Sequence, residues 1–300
     1  MIVGDITDIT HPKTLSTLKS VMPQFISAAD VSWVENNTII RKRLTEPTLS
    51  AVVSSNQGIR AFAWSPDGKS VVYVTDANPG LVHLLIGGSD RIIGSVRAGG
   101  VGGCEGISGC SLPNWRDLQL SFSPDGSLIS LVVDDFSGTI FRIWSSEGKV
   151  LKTSDDQGTT MATWSGEGLY FRDSKGVEVW RNGVVSPFLP GVMWIKPKGS
   201  PSGGQIVYTA RDSAGWGQVF VVDISTRETR LLKAARTDAV FLTSRYIWYR
   251  GERACVVADY CGPHPPFHPV SGKTYIYDLQ NGTETESIIT SVYDVWPHAA

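Results

Sequence analysis

Ala61-Phe62-Ala63-Trp64-Ser65-Pro66-Asp67-Gly68, followed by the apolar run Ser70-Val71-Val72-Tyr73-Val74, is the stretch that decides the fold. Pro66 presets the first corner of a type I turn, Asp67 tolerates the second, and Gly68 accepts a left-handed exit. The runs on either side therefore form a hairpin. The string returns as Phe122-Ser123-Pro124-Asp125-Gly126, again ahead of an apolar run at 128–133. A unit that recurs along a chain marks a repeat architecture.

Working outward from Trp64, runs at 81–86 and 91–96 complete a four-stranded meander. The same grammar follows Phe122. It then decays to Trp164-Ser165-Gly166-Glu167-Gly168, to Ser200-Pro201-Ser202-Gly203, and to a further unit over 239–289. A sixth unit lies upstream, with Val31-Ser32-Trp33 before a turn at Asn36-Asn37. Four strands in about 40–50 residues is the period of a propeller blade. The fold class is all-β, a β-propeller of four-stranded antiparallel blades, forming one domain over 1–300.

The chain ends bear on blade number. Residues 292–297 look like the opening strand of another unit, whereas 2–7 and 15–18 look like closing strands. Joined, they make a composite blade and remove an open sheet edge. Seven blades are therefore preferred, with six as the alternative. Trp33, Trp64, Phe122, Trp164 and Trp296 occupy one place in the repeat and are expected to wedge between neighbouring blades.

At these turns the chain resembles the TolB-like family of WD40-like propellers, whose repeat is an aromatic-Ser-Pro-Asp-Gly turn followed by an apolar strand. The likeness runs over about 24–296. It implies a propeller, export from the cytoplasm and action through protein contacts, and it transfers no contact residue. The abrupt start implies an absent upstream piece that held an export signal.

Composition narrows the partners. A formal net charge of −2 provides no basic excess for nucleic acid. The one dense basic run, Arg41-Lys42-Arg43, reads as a solvated strand face. No window approaches the ~20 apolar residues of a membrane span, and the start MIVGDITD lacks the charged and apolar regions of a secretory signal. With 31 Gly and 16 Pro the chain is rich in turns, and an apolar fraction of 41% is enough for a core. The expected state is a monomer with a protein partner and no cofactor.

Four cysteines form two local pairs, Cys104 with Cys110 and Cys255 with Cys261, in long insertions at 97–117 and 251–272. Two loop-pinning disulfides and an oxidising, extracytoplasmic compartment follow from that reading. Cys255, Cys261, His264 and His268 also supply four ligands suited to tetrahedral zinc. Against zinc stand a Cys–Cys spacing wider than usual, prolines at 263, 265 and 266, and a first pair with no histidine nearby.

No Gly-x-Ser-x-Gly elbow is present, and no residues remain for a separate catalytic domain. Asp134-Asp135 and Asp155-Asp156 are adjacent residues at strand ends, where neighbours point to opposite faces. The glycine-rich string 99–103 lacks the Lys and Ser/Thr of a phosphate loop. His83 in its apolar strand is expected to be a packed residue. Trp115, Trp216 and Phe267 fall in loops outside the repeat and are the candidate interface anchors. A non-enzymatic scaffold is the preferred function. The alternative is a hydrolase or lyase acting on glycans or peptides at the channel mouth.

Overall fold

The computed structural model describes residues 2–5, 13–17, 21–77, 79–96, 116–135, 138–154, 160–254, 270–292 and 294–295. Among them there is no helix, and so none long and apolar enough to cross a membrane. The strands form six four-stranded antiparallel sheets and one two-stranded sheet, and in every sheet the strands are hydrogen-bonded in chain order.

Chain contacts divide the molecule into two compact units, 1–160 with 293–297, and 161–292 with 298–300. In the first unit, β1 (Ile2–Asp5) pairs with β2 (Lys13–Thr17). Sheet I holds β3 (Val21–Phe25), β4 (Asp30–Glu35), β5 (Thr38–Arg43) and β6 (Leu49–Ser54). Sheet II holds β7 (Ile59–Trp64), β8 (Ser70–Thr75), β9 (Gly80–Ile86) and β10 (Ser89–Val96). Sheet III holds β11 (Arg116–Phe122), β12 (Leu128–Asp135), β13 (Gly138–Ser145) and β14 (Val150–Ser154).

In the second unit, sheet IV holds β15 (Thr160–Ser165), β16 (Gly168–Asp173), β17 (Gly176–Arg181) and β18 (Val184–Pro190). Sheet V holds β19 (Ile195–Gly199), β20 (Gln205–Arg211), β21 (Gly217–Asp223) and β22 (Thr229–Ala234). Sheet VI holds β23 (Arg236–Phe241), β24 (Tyr246–Arg253), β25 (Val270–Asp278) and β26 (Thr283–Glu286).

The turn chemistry explains the repeat. The Ser65 hydroxyl donates to the Asp67 carboxylate at 2.6 Å and accepts from the Ser70 N–H at 2.9 Å, while the Gly68 N–H reaches the Ser65 carbonyl. Ser123, Asp125, Leu128 and Gly126 repeat this set bond for bond. Ser200 keeps the hydroxyl bridge, from the Gln205 N–H, and the Gly203 N–H bond to its carbonyl, but has no aspartate to donate to. Gly68, Gly126 and Gly203 all take a left-handed φ, between +67° and +74°, where a Cβ is strained. Ser165, in the decayed copy, donates instead to the Gly203 carbonyl of the next sheet.

The larger cores lie between sheets, whereas a small cluster around Val31 and Trp33 lies within sheet I. Ala63, Val72, Val74, Val82 and Leu84 of sheet II pack with Phe122, Ile129, Leu131, Val133 and Trp144 of sheet III. Tyr170, Val179 and Phe188 of sheet IV pack with Trp194, Ile206 and Tyr208 of sheet V. Val207 and Val221 pack with Phe241, Ile247 and Tyr249 in the same way between sheets V and VI. The indole N–H of Trp144 crosses to the Ile93 carbonyl, and that of Trp194 to the Met161 carbonyl. Trp64 packs with the cluster shared by sheets I and II, under the Arg41 guanidinium. The aromatic seam expected at Trp64 and Phe122 is therefore present, and Trp144 and Trp194 extend it.

Two expectations need correction. The preferred count of seven blades gives way to the alternative of six: among the described residues there are six four-stranded sheets, and β1 and β2 hydrogen-bond to each other and to no other sheet. Val292, Asp294 and Val295 carry no strand hydrogen bonding. Asp294 instead offers its carboxylate to the Phe25 N–H at the end of β3, at 2.6 Å. Trp33 sits in the second strand of sheet I, so Phe25 takes the place that Trp64 and Phe122 hold in their sheets. Trp164, at the end of β15, holds the same place as Trp64 and Phe122, is buried, and meets Trp180 of its own sheet edge-on, with ring centres 6.5 Å apart. Trp296 lies outside the described residues.

Candidate functional site

Of the three loop aromatics singled out in the sequence, the structure describes Trp216; Trp115 and Phe267 lie outside the described residues. Cys104, Cys110, Cys255, Cys261, His264 and His268 also lie outside them, as do Asp155 and Asp156. Nothing in the geometry therefore bears on the disulfide or zinc readings.

Trp216 ends the short turn between β20 and β21. Asp212 builds that turn. Its Oδ1 accepts from the Ala214 and Trp216 N–H groups, both at 2.9 Å, and its Oδ2 from the Gln218 amide. The Asp212 N–H closes the loop on the Trp216 carbonyl. Trp216 itself is half-buried. A rigid backbone thus presents a large amphipathic ring at low entropic cost.

Sheet VI locks this turn in place. Glu252 of β24, its side chain only 2% exposed, accepts from the Gly217 N–H at 2.6 Å and from Arg211 Nη1 at 2.5 Å. Arg211 donates as well to the Gly215 carbonyl inside the turn. Gly217 has to be glycine, because a Cβ there would lie 2.2 Å from the Arg236 carbonyl oxygen. The backbones of the two sheets approach that closely at the foot of Trp216.

The first strands add charge at the same end of the sheets. Pairing slips between Ile195 and Lys198 in β19 and between Thr237 and Val240 in β23. Inside those bulges Lys196 and Asp238 take φ of +47° and +57°. Such bulges re-aim a side chain. Here they bring Lys196 Nζ to 2.7 Å from Asp238 Oδ1, with Arg250 Nε 3.7 Å from the other oxygen. Left-handed backbone at a non-glycine residue costs of order 1–3 kcal/mol and concentrates at functional positions. The rim of the second unit therefore carries Trp216, Arg211, Lys196 and Arg250, with Asp238 and Glu252 as counterions of the three cations.

His83 is packed, as its strand implied. Its ring stacks on Tyr73 at 4.6 Å, and its Nδ1 lies 3.1 Å from an Asp90 oxygen that also accepts the Tyr73 hydroxyl. Burial, followed by that carboxylate, pushes the Tyr73 hydroxyl above its ordinary pKa. Among the described residues no three His, Cys, Asp or Glu side chains gather as a metal site.

The ion pairs at this rim went unnoticed in the sequence. Lys196 and Asp238 stand 42 positions apart, and Arg211 and Glu252 stand 41 apart. One repeat length separates each pair, so aligning successive blades for opposite charges at matching positions would have found both.

No protein-family model and no curated protein matches the sequence. Solved structures do. TolB from Acinetobacter baumannii superposes with a TM-score of 0.51 at 18% identity, over 89% of this chain and 66% of that one. The β-propeller domain of the Trilobed protease from Pyrococcus furiosus, described as having an open velcro topology, gives 0.58 at 12% identity, over 89% and 83%. An oligogalacturonate lyase solved with manganese gives 0.57 at 10% identity, over 86% and 73%. The chain thus has a β-propeller fold of the TolB-like kind, and it spans just under two thirds of the length of that TolB. At these identities the likeness is one of fold.

Proposed function

We propose that the protein is a non-catalytic, extracytoplasmic binding module that engages a protein partner through the Trp216 rim of its second unit. The supporting observation is the Asp212–Trp216 turn, closed by six hydrogen bonds and bolted to sheet VI through Glu252. Rigid, partly exposed aromatics flanked by arginine are the composition of interface hot spots. The TolB-like fold and the two cysteine pairs in the sequence support the export reading. A hydrolase or lyase would need an uncommitted acid or base at this rim, and both Asp238 and Glu252 are bound to cations there.

The test is quantitative affinity capture with wild-type and Trp216→Ala protein as matched baits. At least one protein should be enriched on the wild type and fall roughly tenfold on the variant, the loss expected for a hot-spot aromatic. Far-ultraviolet circular dichroism of the two baits should coincide. Identical capture profiles would remove the rim from the proposal.

A further inference from the structure

The opposite ends of sheets V and VI carry a second feature, independent of Trp216. An open groove of about 310 Å³ is lined by Gln205, Arg230, Ser244, Arg245, Leu279 and Gln280. Gln205 opens β20, Arg230 lies in β22, and the other four come from the two hairpin turns of sheet VI. Its volume falls at the lower end of the range for ligand clefts.

The lining is unusual in what its side chains do. The Arg230 side chain is exposed and makes no hydrogen bond or ion pair among the described residues, and the side chains of Gln205, Ser244 and Gln280 make none either. Arg245 spends Nε and Nη2 on Asp278, at 2.9 and 2.6 Å, which leaves Nη1 available. Asp278 is itself saturated. Besides Arg245 it accepts the Gln280 and Asn281 N–H groups and the Asn281 amide. It supports Arg245 from behind and is not among the lining residues. The groove therefore offers two guanidinium groups, two amides and a hydroxyl, with no carboxylate of its own.

We infer that this groove binds an acidic peptide segment. A guanidinium matches a carboxylate bidentately. The choice of peptide over a phosphate rests on the amides and the hydroxyl. The ionised oxygens of a phosphate only accept and its one or two P–OH groups supply few donors for the Gln205 and Gln280 carbonyl oxygens, whereas an extended peptide backbone donates to and accepts from such groups along its length. Leu279 supplies an apolar floor between them.

The experiment is titration of the folded protein with N-acetylated, amidated tetraglutamate at low salt, followed by heteronuclear NMR. Tetraglutamine and inorganic phosphate serve as comparison probes. Tetraglutamate should shift the resonances of Arg230, Ser244 and Gln280, and its affinity should fall at least tenfold in Arg230→Glu and severalfold in Arg230→Gln. Both substitutions sit at an exposed position, and unchanged amide spectra elsewhere would show that the fold is intact. Trp216→Ala should bind tetraglutamate as the wild type does, which separates this inference from the rim proposal. Equal binding of tetraglutamate by wild type and Arg230→Glu would overturn the assignment. So would binding of phosphate as tight as that of the peptide.

Discussion

Ser65 shows how one hydroxyl fixes a hairpin. It donates to Asp67 and accepts from the Ser70 N–H, so its removal leaves a part-buried N–H without its partner. Ser65→Ala should cost about 1–2 kcal/mol in urea unfolding. Gly68→Ala adds a Cβ at left-handed φ and 2.7 Å from Ile26 Cγ2, and should cost at least as much. Asp278 makes a pH prediction. The Arg245 guanidinium, aided by backbone N–H groups, holds its carboxyl down at about 2. A carboxylate with a depressed folded-state pKa stabilises above its unfolded value and loses that contribution as pH falls through the folded one. The urea midpoint of wild type should therefore exceed that of Asp278→Asn above pH 4, and the gap should close between pH 4 and pH 2. The turns were legible because Pro, Asp and Gly carry their dihedral preferences locally. The arginine partners were not, since nothing near Arg245 or Arg211 in sequence announces Asp278 or Glu252.

Individual strands divide by position in their sheet. Second and third strands are buried along most of their length, as Val71, Val72, Val82, Leu84, Ile129 and Leu131 show. Fourth strands expose apolar side chains, among them Leu49, Ile92, Val150, Val184 and Leu231. First and fourth strands both carry bulges, and in β19 and β23 alternation alone misleads: a one-residue slip re-aims Lys196 and Asp238 without altering the apolar pattern around them. The seam between β21 and β24 is held by Glu252. Glu252→Gln keeps the shape but removes the charge, and should cost roughly 1.5–3 kcal/mol in thermal or chemical denaturation. Amide exchange at Gly217 should quicken in the same variant. An unchanged Gly217 rate would mean that the turn is held by its own bonds alone.

Within each of the two units, similar sheets that cannot bury both faces singly stack on their neighbours. Blade number is obscured in the sequence because short apolar runs at 2–7 and 292–297 look like strands of the repeat; in the structure Ile2–Asp5 pairs with Lys13–Thr17 alone among the described strands, and Asp294 caps β3 with a side chain. The wedging role of the aromatics was read from the sequence correctly at Trp64 and Phe122. Trp144 was the larger omission, a fully buried residue in a third strand whose indole reaches the preceding sheet.

Stacking through such seams is best examined by amide hydrogen exchange on Trp144→Ala. The cavity should cost about 3–5 kcal/mol. Protection should fall in β9 and β10 of the preceding sheet as much as in β13, which carries the substitution. Faster exchange confined to sheet III, with β9 and β10 unmoved, would contradict a core shared between the two sheets.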